Sequence, residues 1–161
     1  MPNYVANYVI IKGDKKELTK FWNQATITGN FDYENLYPDP ENKYTNDWCI
    51  DNWGNKWGAY NVEEDNIDIN NGIIKLYYNT AWSTSNSFWK KVTYEYKIGV
   101  KNYFHDEGSY FCGYVKIKNG QIIKEFIVDD FDNNKNLFIK YANICGRDGY
   151  YYDSEEDDDE N

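Results

Sequence analysis

Tyr4-Val5-Ala6-Asn7-Tyr8-Val9-Ile10-Ile11-Lys12 is rich in β-branched and aromatic residues, with one polar interruption at Asn7. It reads as a largely buried strand. Gly13 ends it, Asp14 and Glu17 have the spacing of a capping box, and Leu18, Phe21 and Trp22 recur on one helical face, which predicts a short amphipathic helix. Further along, Asn70-Asn71-Gly72 separates apolar residues 67–69 from 73–78, and Asn119-Gly120 separates 109–117 from 121–128. Asn-Gly pairs adopt the positive φ that tight hairpin turns need, so two hairpins are predicted. Between them, Ser85 or Asn86 caps a helix in which Phe88, Trp89, Val92 and Tyr96 share a face. Leu137, Phe138, Tyr141, Ala142 and Cys145 predict a C-terminal helix ending near Gly146, with Asp132 or a neighbour as its cap. The order strand, helix, hairpin, helix, hairpin predicts an α+β, ferredoxin-like antiparallel sheet with helices on one face, extended by an extra hairpin and a C-terminal helix.

The rest of the chain is less regular. Residues 30–57 hold Pro38, Pro40 and three tryptophans, Trp48, Trp53 and Trp57, and read as a long structured loop and a candidate surface. With 6 Trp, 17 Tyr and 8 Phe in 161 residues, rings supply much of the core, and Tyr hydroxyls favour half-buried sheet faces. The net charge is −10, yet seven of the carboxylates fall within residues 153–161, so residues 1–152 carry only −3. We therefore expect a single domain over 1–152 and a disordered acidic tail over 153–161. Such a tail argues against direct binding of nucleic acid unless it acts as a tethered competitor for a basic site.

Cys49, Cys112 and Cys145 are odd in number and widely spaced, which suggests reduced thiols and neither a disulfide framework nor a zinc site. No apolar run reaches the roughly 20 residues of a membrane span, and the first residues lack the build of a signal peptide. A cytoplasmic protein with no membrane association is expected.

Four strings, taken in order, resemble the YubB-like or Api92-like proteins of plasmids and phages. They are Met1-Pro2-Asn3-Tyr4-Val5-Ala6-Asn7, Trp53-Gly54-Asn55-Lys56-Trp57-Gly58-Ala59, Thr80-Ala81-Trp82, and Tyr103 through Glu107-Gly108 to Phe111-Cys112-Gly113. The resemblance implies a ferredoxin-like fold and a mobile-element setting, and it carries no reaction with it. Tyr4 stands where that family often has His, Gly58 where Asp is common, and Ser83-Thr84-Ser85 in place of a Pro-rich continuation.

Few residues offer chemistry. Trp53, Lys56 and Trp57 form a candidate aromatic and cationic platform, against the plainer reading that the indoles cover the sheet. His105-Asp106-Glu107 is the one place where an imidazole meets carboxylates, and it reads best as a solvated loop. Cys112 and His105, at odd separation, would face opposite ways in one strand, so Cys112 reads as a buried structural thiol. Asp130, Asp132 and Asn134 open like a calcium loop, but Lys135 occupies the glycine position and Tyr141 the glutamate position. Phosphate-loop, dinucleotide, acyl-transfer and zinc-hydrolase motifs are absent, so no enzyme activity, cofactor or metal is expected.

The leading expectation is a non-enzymatic accessory protein that inhibits or modulates a host protein with a basic surface, such as a nucleic-acid-binding or defence component. Its contact residues would be Trp48, Trp53, Lys56, Trp57 and Trp82, with Asp157 and Asp158 of the tail. The alternative is a binder of single-stranded nucleic acid or nucleotide. In that reading exposed Tyr and Phe on a sheet face stack bases, and lysines clustered at 12–20 and 116–124 meet phosphates.

Overall fold

A computed structural model of the chain describes residues 3–151. The strand predicted at the start is β1 (Tyr4–Lys12), followed by α1 (Lys15–Ala25). After α2 (Asn46–Trp53) come β2 (Tyr60–Asp68) and β3 (Ile73–Ala81), then α3 (Asn86–Tyr96) and β4 (Gly99–Asp106). Strands β5 (Cys112–Lys118) and β6 (Gln121–Val128) and the helix α4 (Phe131–Ile144) complete the chain.

All six strands lie in one antiparallel sheet in the order β2-β3-β1-β4-β5-β6. The first four form the split β-α-β arrangement of a ferredoxin-like unit, with α1 and α3 as the crossovers. Hairpin β5–β6 widens the sheet, turning through Asn119 (φ 51°) and Gly120 (φ 76°) as the Asn-Gly pair predicts.

Residues of one parity pack under α1 and α3. Val5, Val9 and Ile11 of β1 join Ile74, Leu76, Val100, Phe104, Val115 and Ile117 from the neighbouring strands, and Leu18, Phe21, Phe88, Trp89 and Val92 from the helices. The polar interruption Asn7 belongs to this same buried face. Its amide donates to Thr80 Oγ1 at 3.0 Å and to Val5 O at 2.9 Å, and its Oδ1 accepts from Asn102 Nδ2 at 2.9 Å. A polar residue is thus tolerated in the core because its partners are built into the flanking strands. Helix α4 covers the opposite face at the β4–β6 end, where Phe138, Tyr141 and Ala142 pack with Cys112, Val128 and Tyr151.

Three expectations are corrected and one is sharpened. Residues 30–57 are not one long loop: Thr45 Oγ1 accepts from Trp48 N–H and starts α2, with the left-handed Gly54 closing it. Residues 99–106, with His105 and Asp106 at their end, form an inner strand, not a loop. Asp14 precedes α1, but its side chain accepts no cap hydrogen bond. Helix α4 is capped by Asp130, which accepts from Asn133 N–H at 3.2 Å.

Among the described residues no helix is long and apolar enough to cross a membrane. Cys49, Cys112 and Cys145 are buried and unpaired. The acidic stretch, with Asp157 and Asp158, lies outside the described residues.

Candidate functional site

The tryptophans divide into two groups. Trp53 is 2 % exposed: Cys49 and Trp53, one helical turn apart in α2, both face the core, and the Trp53 indole donates to Tyr37 O at 3.1 Å. Trp48 packs edge-on against it at 5.1 Å, half-buried. Neither serves as a contact platform in this arrangement. Trp57 and Trp82 are 39 % and 46 % exposed, and Lys56 Nζ sits 5.3 Å and 4.3 Å from their ring centroids. The sequence-predicted trio of Trp53, Lys56 and Trp57 is therefore replaced by Trp57, Lys56 and Trp82. Trp82 holds φ at +71°, fixed by its N–H to Asn3 O at 2.9 Å. A bulky residue in that region is strained by about 1–3 kcal/mol.

His105 is fully buried. It pairs in register with Cys112 on the neighbouring strand, so the two share a face instead of opposing each other. Arg147, the single arginine of the chain, places Nη1 2.7 Å from His105 Nδ1. A guanidinium can only donate, so Nδ1 is the acceptor and the proton sits on Nε2. Nε2–H then donates to Tyr151 Oη at 2.5 Å, which lies 2.8 Å from Ser109 Oγ. Burial, with the Arg147 charge second, pushes the imidazole down to about 3. The Cys112 thiol is pushed up to about 12 by burial. A neutral, fully engaged imidazole beside a protonated thiol is a structural lock on the C-terminal segment, not a nucleophile and base.

The face of the sheet away from α1 and α3 carries the most organised surface, covered in part by α4, whose Tyr141 ring lies 6.3 Å from those of both Tyr103 and Phe126. Register places Tyr77, Tyr8, Tyr103, Tyr114 and Phe126 side by side across β3, β1, β4, β5 and β6. Centroid spacings along this row are 4.4, 6.4, 6.0 and 6.1 Å. Two residues along the strands runs a second row: Lys75, Ile10, Lys101, Lys116 and Lys124. Lys101 Nζ lies 4.3 Å and 4.7 Å from the rings of Tyr103 and Tyr114, which ties the two rows together. Lys12 and Lys118 join Lys101 and Lys116 around a pocket of about 410 Å³ at the same end.

Like charges directly opposite on neighbouring strands repel. Among the described residues, neither ion pair involves this row: Lys20 pairs with Glu17, and Lys43 with Glu41. Carboxylates gather instead at the β2 edge, where Asp65 accepts from Tyr8 Oη at 2.8 Å and so raises the phenol's pKa, after burial. The face is basic towards β4–β6 and acidic at β2. Sequence reading found Lys116 and Lys124 as part of a cluster but missed both rows, which exist only once five strands are in register.

Fold and surface together define a ferredoxin-like α+β domain with one face packed under α1 and α3 and the other aromatic and lysine-bearing, part of it under α4. The chain belongs to the Api92-like family: residues 56–140 match the ferredoxin-like domain in Api92-like protein. The matched span runs from Lys56 into α4, so β1 and α1 of this chain's ferredoxin-like unit lie outside it. The crystal structure of a protein api92 from Yersinia pseudotuberculosis is similar over 53 % of this chain and 30 % of that one, with 12 % identity and a TM-score of 0.45. No curated protein matches the chain.

Proposed function

We propose that this protein binds single-stranded nucleic acid across the part of this sheet face that α4 leaves open. The observation that supports this reading is the aromatic row lying beside an unpaired lysine row. Nucleobases stack where α4 leaves the row accessible, at Tyr8 and at Phe126, which is 40 % exposed, and phosphates follow Lys101, Lys116 and Lys124. Base–aromatic stacking contributes about 1–3 kcal/mol per base, and lysines that repel each other in the free protein are relieved by a polyanion. The acidic β2 edge directs the phosphates towards β4–β6. Titration of a fluorescently labelled single-stranded oligonucleotide at low salt tests the reading. Binding that Phe126→Ala weakens by about tenfold supports it, and an oligonucleotide that stays free at micromolar protein rejects it.

A second reading, docking of a protein partner, is favoured by the exposed Trp57–Lys56–Trp82 patch. Exposed indoles around a cation are typical anchors of protein interfaces. A double Trp57→Ser, Trp82→Gly variant that keeps its oligonucleotide affinity but loses a co-purifying partner would favour it.

A further inference from the structure

The sheet ends differently at its two edges. At one edge β2 carries Glu63, Glu64, Asp65 and Asp68 with no base, and register shifts interrupt its pairing with β3. Acidic side chains and bulges of this kind keep an edge from pairing with another strand. At the other edge β6 reads Gln121-Ile122-Ile123-Lys124-Glu125-Phe126-Ile127-Val128, with one charge of each sign. Ile123, Phe126 and Ile127 are 61 %, 40 % and 54 % exposed. Among the described residues β5 is the only strand paired with it, and no loop or helix backbone bonds to it. An exposed apolar edge strand offers its outward N–H and C=O groups to a further strand.

Apolar groups stand on both faces of β6. Phe126 is in register with Tyr114 and lies on the α4 side, where it ends the aromatic row. Ile127 is in register with Gly113 and lies on the other side, where the glycine has no side chain to cover it. The register shift against β5 makes Ile123 the extra residue, so residues 124–128 are the regular stretch, with Phe126 at its centre.

We infer that β6 pairs antiparallel with β6 of a second copy of this chain, about a two-fold axis at Phe126. A two-fold perpendicular to the sheet keeps each side chain on its own face, so Phe126 meets Phe126 of the second copy and Lys124 comes opposite its Val128. That register carries Lys124 to the end of the strand where the exposed Asp129 and Asp130 stand, and symmetry repeats this charge match at the other end. Glu125 comes opposite Ile127, whereas an axis at Lys124 or at Glu125 would set like charges against each other. The six strands of each copy then join in one sheet, and the aromatic row runs through Phe126 into that of the second copy. The β2 edge cannot pair with itself in this way, because its carboxylates would face their own kind.

The inference stands apart from oligonucleotide binding and is tested without nucleic acid. In sedimentation equilibrium the weight-average mass of the full chain should rise from 19.2 kDa towards twice that value as concentration climbs through the micromolar range. Ile127→Lys, at an exposed position on the face away from the aromatic row, should hold the mass at the monomer value. Cys49, Cys112 and Cys145 are buried, so an added cysteine reports the register. Under mild oxidation Phe126→Cys should form a covalent dimer, because opposed residues of an antiparallel pair have Cα atoms about 4.5–5.5 Å apart, within disulfide reach. Lys124→Cys would lie about 13 Å along the strand from its counterpart and should stay unlinked. A parent that remains monomeric, an Ile127→Lys variant that dimerises as the parent does, or cross-linking at position 126 no greater than at 124 overturns the inference.

Discussion

The two faces of the sheet are built from alternate residues of the same strands, yet they are organised on opposite terms. On the covered face Val5, Asn7, Val9 and Ile11 are buried, and even Asn7 is matched by Thr80 and Asn102. On the other face Ala6, Tyr8, Ile10 and Lys12 share β1 with them, but the rings are half-buried and the lysines of the adjoining strands lack counter-charges. The covered face meets most of its polar groups internally, leaving Asn102 Oδ1 without a partner. The other keeps stacking surface and charge in reserve, which is the physical mark of a surface that completes itself on a ligand.

Substitutions should separate the faces by what they disturb. The largest expected effect is on the covered side: Trp89→Ala removes a fully buried indole and its Nε1–H bond to Tyr78 Oη, and should lower unfolding free energy by about 3–5 kcal/mol in urea denaturation. Gly113→Ala should be comparably damaging. Gly113 holds φ at +151°, and a methyl there would collide with the backbone carbonyl oxygen of Phe126 on β6.

Next in size is the lock beneath α4. The folded His105 pKa lies near 3, below its unfolded value of about 6.5, so the neutral form stabilises the fold above pH 6.5. That contribution is lost as pH falls from about 6.5 towards 3. Stability measured at pH 7 and pH 4 should differ by roughly 2–3 kcal/mol more in the parent than in His105→Gln, the variant isolating this group from the titrating carboxylates.

On the open face the balance reverses. Phe126→Ala, which removes a ring 40 % exposed at the sheet edge, should change stability by only about 1 kcal/mol while weakening oligonucleotide binding by about 1–3 kcal/mol. Deleting residues 153–161 removes seven carboxylates and should tighten that binding at low salt, with the gain vanishing as salt screens the charges. Equal loss of stability and binding in Phe126→Ala would erase the distinction between the faces. The smallest effect is local: Trp82→Gly relieves a positive φ and should alter stability by no more than about 1 kcal/mol.

Much of this fold is legible in the residues. β1 announces itself by β-branched density, Asn119-Gly120 fixes the β5–β6 turn, Gly72 at φ 76° closes a 3-10 turn between β2 and β3, and Phe88, Trp89 and Val92 mark the buried side of α3. Strand β4 is not legible, because both of its faces are covered for different reasons. Asn102 and Asp106 lie on the helix-covered side and His105 on the other, so polarity does not alternate. Helix α2 is only eight residues long and follows Pro38 and Pro40, although Thr45 and the Cys49–Trp53 spacing were signals for it. Among the candidate residues, Lys56, Trp57 and Trp82 meet as a surface, while Trp48 and Trp53 pack inward because α2 turns that side of the helix to the core. The rows could not be read in advance, since neighbours in a row are separated along the chain by as many as 95 residues, as Tyr8 and Tyr103 are.

The central claim is that the open face is an unpaired cationic and aromatic platform for a single strand. Its most direct test is the salt dependence of oligonucleotide binding in the parent and in a Lys101→Gln, Lys116→Gln, Lys124→Gln variant, followed by fluorescence anisotropy. Every lysine–phosphate pairing that is removed should reduce the slope of log affinity against log salt by about 0.7, so the triple variant should be shallower by about 2. A parent that fails to bind, or a variant with the parent's affinity and slope, would contradict the account.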